Sequence, residues 1–232
     1  MTLAVDGINQ FYGQSHTLWD VSLSLREGRC TCLMGRNGVG KTTLLKTIMG
    51  LVPAASGSVK LNGQEILGKR PESRAKIGIG YVPQGREIFP QLTVEDNLKL
   101  GLPSRRDKVR TIPDKIYELF PVLKDMRQRR GGDLSGGQQQ QLAIGRALVL
   151  DPKLLILDEP AEGIQPNIVA EIGALIRRLC NELEMTVLLV EQKLPFVRKF
   201  ADDFVIMDKG RVVASGGLDG LTDELVARHL VV

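Results

Sequence analysis

Residues 30–49 spell CTCLMGRNGVGKTTLLKTIM, an apolar segment followed by a glycine-rich loop and a helical pattern that stops at Gly50. Within this stretch, residues 35–42 satisfy the pattern G-x-x-x-x-G-K-[ST]. Glycines let backbone N–H groups wrap phosphates, and Lys41 can neutralise the β- and γ-phosphates while the Thr42 hydroxyl binds Mg²⁺. The alternative is a chance glycine loop, which is disfavoured because this loop lies between a strand and a helix, as the mechanism requires. The stretch therefore predicts a nucleotide site.

A second apolar segment ends in two carboxylates. Residues 154–159 spell LLILDE, and a carboxylate at the C-terminal end of a strand faces the crevice where α/β proteins bind ligands. Asp158 is then the candidate Mg²⁺ ligand, and Glu159 the candidate base that polarises the water attacking the γ-phosphate. An Asp-Glu pair by itself predicts only a solvated turn. Together with the phosphate loop, it predicts a catalytic site.

A third motif is a second glycine-rich helix start. Residues 134–138 spell LSGGQ and precede QQQLAIGRAL. Ser135 and the free N–H groups of such a helix start can hold another anion.

The first third of the chain is rich in strand patterns. Residues 21–25 alternate with period two, and the Asn62-Gly63 pair predicts a tight hairpin. Residues 85–130 then change to amphipathic pieces, one of them capped by Thr93, that are punctuated by prolines and contain no strong strand pattern. These features predict an inserted helical lobe.

The rest of the chain predicts a parallel sheet. The segments LLILD and TVLLV are apolar throughout and flank a helix opened by Pro166, and such strands belong in a sheet covered on both faces. A hairpin at Lys209-Gly210 and a short closing helix are expected at the end.

Composition is that of an ordinary folded protein. The 232 residues are 43% hydrophobic and 25% charged, and the net charge of +4 is too small to indicate a nucleic-acid binder. No segment has the ~20 apolar residues that span a bilayer, and no secretory signal pattern opens the chain. Cys30, Cys32 and Cys180 form no metal-binding spacing, so reduced, buried thiols are expected.

The phosphate loop, the LSGGQ signature and the LLILDE strand, in this order, resemble the ATP-binding subunits of ABC transporters over nearly the whole chain. The resemblance implies one α/β P-loop NTPase domain over residues 1–232, with a mostly parallel sheet, an N-terminal antiparallel β subdomain and an inserted helical subdomain. The nucleotide-binding core would comprise residues 1–84 and 146–232, and the helical signature subdomain residues 85–145.

The same resemblance assigns roles to individual residues. Tyr12 matches the aromatic residue that stacks on adenine, and Gln84 matches the loop glutamine that senses Mg²⁺. Expected ATP contacts are Tyr12, Gly35, Arg36, Asn37, Gly38, Val39, Gly40, Lys41, Thr42, Thr43 and Gln84. Expected Mg²⁺ ligands are Thr42, Gln84 and Asp158. The signature residues Ser135, Gly136, Gly137 and Gln138 would contact the ATP of a second subunit. Taken one at a time, Tyr12 and Gln84 fit equally well a core tyrosine and a surface glutamine.

Two positions depart from the family pattern. Gln165 stands where many members carry Asp, and Gln192 stands where most have a switch histidine. The two histidines, His16 and His229, match neither place. A glutamine amide can still donate and accept hydrogen bonds, so Gln192 is expected to act beside Glu159 as a catalytic residue.

The sequences around Gln165 and Gln192 also indicate which branch of the family this chain resembles. The patterns EGI-x-P and LVEQ resemble the ATPases of importers for branched-chain amino acids, short amides and urea. Within that branch, residues 12–16 and 83–98 are most similar to the urea-transporter ATPase, and the amino-acid relatives more often have Glu where Gln84 stands. The sequence therefore predicts an importer ATPase for urea or short amides, with a branched-chain amino acid importer as the alternative.

Other functional classes stay open at this stage. A soluble ABC-type ATPase acting on ribosomes or DNA would carry tandem cassettes or long coiled-coil insertions, which this chain lacks. A degenerate regulatory cassette that binds ATP with little hydrolysis is favoured by Gln165 and Gln192 and opposed by Lys41, Asp158 and Glu159.

The resemblance also implies partners and a location. It implies a second ATPase subunit, the same or homologous, two integral-membrane permease subunits and, indirectly, a solute-binding protein, with ATP and Mg²⁺ as cofactors and no nucleic acid. The expected location is cytoplasmic, on the inner face of the cell membrane. Residues 86–91, and Arg86 above all, are expected to dock the permease.

Overall fold

The larger of two sheets forms mostly from apolar segments, while its antiparallel edge strand alternates between exposed and half-buried residues. The computed structural model describes residues 2–230, so Met1 and residues 231–232 of the predicted domain lie outside it. In spatial order the strands are β10 (Arg211–Gly217), β9 (Asp203–Asp208), β3 (Cys30–Met34), β8 (Thr186–Val190), β7 (Leu154–Asp158) and β6 (Ile79–Val82). Neighbours pair in parallel, except in the β9–β10 hairpin. The mostly parallel sheet is thus confirmed.

Side chains of these strands alternate between two hydrophobic cores. In β7, Leu155 and Leu157 pack into one core while Leu154 and Ile156 pack into the other. All five residues of β7 are buried because helices cover one face and the N-terminal strands and α1 (Lys41–Met49) cover the opposite face. Cys30, Cys32 and Cys180 are buried free thiols, as expected.

The smaller sheet is antiparallel and N-terminal. Its spatial order is β2 (Ser15–Leu25), β1 (Leu3–Tyr12), β4 (Ser56–Leu61) and β5 (Gln64–Glu65). The sequence pattern identified residues 21–25 of β2 and did not single out β1. The reason is that the pairing of the two strands shifts register between Val5 and Phe11, and such irregularities break the period-two alternation.

The other helices are α2 (Pro71–Lys76), α3 (Val94–Lys99), α4 (Asp114–Leu119), α5 (Pro121–Asp125), α6 (Gly136–Val149), α7 (Pro166–Leu183), α8 (Leu194–Phe200) and α9 (Asp223–His229). Helix α1 ends at Gly50, whose φ of 74° is the left-handed conformation favoured at helix ends. Helix α7 begins at Pro166, as predicted, and buries Ile172, Ile176 and Leu179 on its apolar face.

Residues 85–145 contain the short helices α3, α4 and α5 and most of the longer α6. The Thr93 side chain caps α3 by accepting a hydrogen bond from the backbone N–H of Asp96. Within the described part of this segment, the β-type pairing is a single isolated bridge between Thr93 and Arg130. Helical content matches the prediction, while the boundaries of the inserted subdomain remain a prediction.

Parallel pairing brings four strand ends to one edge of the larger sheet. The chain leaves β3, β6, β7 and β8 at their carboxyl ends, and each is followed within a few residues by a polar segment that the sequence singled out. The edge where parallel strands end is the usual place for a ligand site in such folds. The candidate site therefore lies where residues 35–42, 84, 158–159 and 192 converge.

Candidate functional site

The phosphate loop has the shape that its glycines predict. Gly35 has φ 146°, and a Cβ there would lie 2.4 Å from the carbonyl oxygen of Met207, so only glycine fits. Gly40, with φ 103°, precedes α1 and provides no side-chain cap. The first-turn N–H groups of α1 are thus free of a side-chain cap at the point where an anion would bind.

Lys41 is folded back over this loop. Its ammonium group donates to the carbonyl oxygens of Gly35 at 2.8 Å and Arg36 at 2.9 Å. Burial lowers the pKa of Lys41, while the carboxylates of Glu159 and Asp158 act in the opposite direction. The ammonium charge of Lys41 is therefore held at the centre of the phosphate loop.

Asp158 has the environment of a metal ligand. It is 2% exposed, and neither of its carboxylate oxygens has a hydrogen-bond partner. Burial, helped by the charge of Glu159, raises the pKa of Asp158 from 3.8 to about 6, while Thr42 and Lys41 oppose that rise. The Thr42 hydroxyl stabilises the charged carboxylate, although its geometry falls short of a hydrogen bond. An unpartnered buried carboxylate beside a hydroxyl fits a hard cation such as Mg²⁺.

Glu159 lies between two glutamine amides. One carboxylate oxygen accepts a hydrogen bond from Nε2 of Gln192 at 2.6 Å, and the other from Nε2 of Gln84 at 3.4 Å. Gln192 Nε2 also donates to Oδ1 of Asn37 at 2.8 Å. Glu159 itself has φ 49°, an uncommon conformation for a residue with a side chain. The structure thus brings Gln192 beside Glu159, as expected from the sequence, and adds Gln84, which was predicted separately as an ATP and Mg²⁺ contact.

A cleft of about 350 Å³ opens between the phosphate loop and these side chains. Its lining residues are Thr17, Asn37, Gly38, Gly40, Lys41, Thr42, Thr43, Gln84, Glu159 and Glu162. Two of them, Thr17 and Glu162, were not predicted. Thr17 reaches the cleft because its strand packs against Gly40. Glu162 accepts a hydrogen bond from Nε2 of Gln84 at 2.9 Å. Neither contact has a sequence signal, because both depend on tertiary packing.

Tyr12 ends β1 and is 48% exposed. It is not among the described residues that line the cleft, and its exposure shows that it is not a core tyrosine. Stacking of this ring on adenine remains a prediction.

The signature motif lies in a second, separate cavity of about 390 Å³. Ser135 caps α6 by accepting a hydrogen bond from the N–H of Gln138, and the Gln138 side chain accepts one from the N–H of Ser135. Gly136, Gly137 and Gln165 also line this cavity. Among the described residues, the two cavities have no lining residue in common. The signature therefore does not face the phosphate loop of its own chain.

Arg86 has a different position from the one expected. It is half-buried, its guanidinium donates to Oε1 of Gln139, and it lies against Gly136 and Gly163. Phe89 and Gln91, by contrast, are exposed. Arg86 therefore connects the loop after β6 with the signature helix and is not a free surface residue.

Comparisons with known proteins agree with this geometry. A family model described as ABC transporter matches residues 18–162. The high-affinity branched-chain amino acid transport ATP-binding protein BraG of Pseudomonas aeruginosa is 43% identical over 212 residues, which cover 91% of this chain and 91% of BraG. The chain belongs to the ABC transporter family.

Solved structures of ABC transporter cassettes share the fold. A nucleotide-free ATP-binding cassette has a TM-score of 0.83 at 29% identity, covering 99% of this chain and 94% of that one. A dimeric bacterial ABC transporter cassette has a TM-score of 0.82 at 26% identity, covering 94% of this chain and 100% of that one. The predicted α/β cassette fold is confirmed, and cassettes of this family are ATPases that hydrolyse ATP to drive transport.

ABC ATPases act as dimers together with membrane permease subunits. Between residues 2 and 230, no helix has the length and apolar character needed to cross a bilayer.

Proposed function

We propose that this protein is the ATPase subunit of an importer of the branched-chain amino acid branch. The observation that supports ATP hydrolysis is the arrangement of Glu159, which the amides of Gln192 and Gln84 contact beside the unpartnered carboxylate of Asp158. This arrangement combines a candidate base, two hydrogen-bond donors and a cation site around one phosphate loop.

The side chains would divide the work of hydrolysis. Lys41, now bonded to loop carbonyls, would donate to phosphate oxygens, and Thr42, Asp158 and Gln84 would hold Mg²⁺. When bound, Mg²⁺ would neutralise charge on the phosphates. Glu159 accepts the proton of the attacking water, and Gln192 orients that water or the γ-phosphate through its amide.

The similarity to BraG and the residues around Gln84 favour different transported solutes. BraG, 43% identical, carries the name of a branched-chain amino acid transport protein, which supports that class of substrate. Gln84, together with the patterns at residues 12–16 and 83–98, favours urea or a short amide as the second candidate. Uptake of radiolabelled leucine and of urea separates them, measured in vesicles that contain this ATPase with the permease and binding protein encoded beside it. Urea uptake without leucine uptake would overturn the first proposal.

The two separate cavities support a second ATPase subunit as a partner. Because the signature and the phosphate loop of one chain line different cavities, a second ATPase subunit would complete each nucleotide site. We propose two permease subunits as further partners, an indirect contact with a solute-binding protein, and a position on the inner face of the cell membrane. The helical segment 85–145 would transmit motion to the permease, with exposed Phe89 and Gln91 as docking residues in place of Arg86.

The ATPase proposal is tested by phosphate release. Lys41→Ala should lose ATP binding, while Glu159→Gln should bind ATP and hydrolyse it about 100-fold more slowly or worse, as expected for a lost general base. Glu182→Gln, an equivalent change on the exposed side of α7, should match the parent. If Glu159→Gln hydrolyses as fast as the parent, Glu159 is not the base. If the parent itself binds ATP without hydrolysing it when assembled, the regulatory-cassette alternative is the better one.

A further inference from the structure

The loop after β7 carries a second glutamate that faces the nucleotide cleft. Glu162 lies three residues beyond Glu159, and its N–H donates to the carbonyl oxygen of Glu159 at 3.1 Å, which turns both carboxylates to the same side. Nε2 of Gln84 donates to Oε2 of Glu162 at 2.9 Å and to Oε2 of Glu159 at 3.4 Å. The amide of Gln84 is therefore shared by two carboxylates, and the bond to Glu162 is the shorter.

The hydrogen bonds to Glu162 and Glu159 determine the orientation of the Gln84 side-chain amide. Oxygen and nitrogen of a glutamine amide are nearly equal in shape, so only hydrogen bonding assigns them. An amide oxygen next to two carboxylates would be repelled, whereas the NH₂ group can donate to both. The carbonyl oxygen of Gln84 is consequently on the side away from Glu159 and Glu162, and Gln84 lines the cleft with Lys41 and Thr42.

The loop that carries Glu162 is itself held in place. Nζ of Lys193 donates to the carbonyl oxygen of Ala161 at 2.9 Å, and the guanidinium of Arg86 lies against Gly163. A carboxylate on an anchored loop can orient its partner, because little conformational entropy is lost when the hydrogen bond forms.

We propose that Glu162 is a positioning residue that acts through Gln84, holding the Gln84 carbonyl oxygen toward the cation and phosphates. This inference rests on the proposed role of Gln84 as a Mg²⁺ ligand. It also predicts that a carboxylate at position 84 would weaken the arrangement in this chain. Among the described residues that line the cleft, Glu159 and Glu162 are already two negative charges, and a third carboxylate at position 84 would be repelled by both.

The pair can be tested by exchanging its two side chains. Gln84→Glu and Glu162→Gln each break the donor–acceptor match, while the double variant restores the hydrogen bond between positions 84 and 162 in reverse, with the same net charge as the parent, and leaves a carboxylate at position 84 beside Glu159. We expect the Mg²⁺ concentration that half-saturates Mg²⁺-dependent ATP binding to rise about three- to tenfold in Glu162→Gln, the size expected for one lost hydrogen bond. Gln84→Glu should show at least that loss, and the double variant should show a smaller loss than Gln84→Glu alone.

A second readout needs neither metal nor nucleotide. In ¹⁵N-glutamine-labelled protein, the exchange with water of the Gln84 side-chain amide can be measured, and the signal is assigned by its loss in Gln84→Ala. The amide should exchange faster in Glu162→Ala than in the parent. Glu182→Gln is the matched control for both measurements, and equal thermal midpoints establish that the variants are folded.

The outcomes separate this inference from the proposed function. An unchanged Mg²⁺ requirement and an unchanged Gln84 amide in the Glu162 variants would overturn the role of Glu162. A double variant whose defects add, with no rescue, would overturn the pairing. If the parent binds ATP with no dependence on Mg²⁺, it is the proposed metal site that fails, and the amide measurement still decides whether Glu162 orients Gln84.

Discussion

At the scale of single residues, Gln192 stands where the family resemblance leads us to expect a histidine, and its amide contacts the site. It donates to Glu159 and to Asn37, which belong to two different loops. We expect Gln192→Ala to lower turnover about 10-fold or more while ATP affinity changes little, because a positioned donor is lost and the phosphate loop is intact. Gln192→His should stay active and gain a pH dependence between about pH 6 and 8, since imidazole titrates there. Steady-state hydrolysis by the assembled dimer measures both. A Gln192→Ala enzyme as fast as the parent would make Gln192 a bystander and strengthen the regulatory-cassette alternative.

Asp158 gives a pH-dependent prediction for the nucleotide-free protein. Burial raises its pKa from 3.8 to about 6, so between these values the folded protein holds a proton that the unfolded chain has released. The contribution of Asp158 to stability therefore falls as the pH rises through this window. In the presence of a chelator, Asp158→Asn should raise the free energy of unfolding at pH 7.5 by ~2 kcal/mol, and the gain should shrink toward zero at pH 4.

Denaturant unfolding at both pH values measures this difference. Asp114→Asn, an exposed aspartate at the start of α4, is the matched control. If Asp158→Asn raises the free energy of unfolding equally at pH 7.5 and pH 4, the increase does not come from the ionisation of Asp158.

At the scale of elements, one buried arginine supports the helix that carries Lys41. Arg74 of α2 is 2% exposed and donates to the carbonyl oxygens of Thr47 and Ile48 in the last turn of α1 and to that of Lys69. The Thr47 carbonyl also accepts the N–H of Gly50, so the Ile48 carbonyl is the one that depends most on Arg74 at the helix end. Arg74→Met should lower the free energy of unfolding by ~3 kcal/mol and the melting temperature by about 6–12 °C. Thermal denaturation checks this against exposed Arg70→Met, and equal losses in the two variants would contradict the capping role.

Elements with a strong local pattern were predictable from the sequence, and those set by tertiary contacts were not. The inner strands β3, β7 and β8 are apolar throughout, so the parallel sheet and the convergence of their ends followed from the pattern. Strand β1 was not singled out, because irregular pairing interrupts its alternation. The positions of Glu162 and Arg86 depend on loop backbones in which Glu159 and Arg86 have positive φ, and neither side chain carries a sequence signal for such a conformation.

At the scale of the whole molecule, the phosphate loop and the signature of one chain line separate cavities, so we expect two chains to share each nucleotide site. A nucleotide on the phosphate loop would meet Lys41, Gln84 and Glu159 of its own chain, while Ser135 and its neighbours line the other cavity. One chain therefore carries both a phosphate loop and a signature, but in separate places, and a dimeric cassette is among its structural relatives. ATP should be the group that joins two chains, because its phosphates would bring a loop of one chain and the helix start of another to the same anion.

The mass of the Glu159→Gln variant in solution should depend on whether ATP is bound. Glu159→Gln keeps the phosphate loop but slows hydrolysis, so it should be largely monomeric without nucleotide, near 25.5 kDa. With ATP and Mg²⁺ its mass should approach twice that value, because the joined state is no longer consumed by hydrolysis. Light scattering coupled to size exclusion measures the change. Adding Ser135→Arg should prevent the increase while ATP still binds the phosphate loop, since a bulky side chain would occupy the surface that receives the partner's nucleotide. A mass that does not depend on ATP, or that doubles despite Ser135→Arg, would show that the chains associate through another surface.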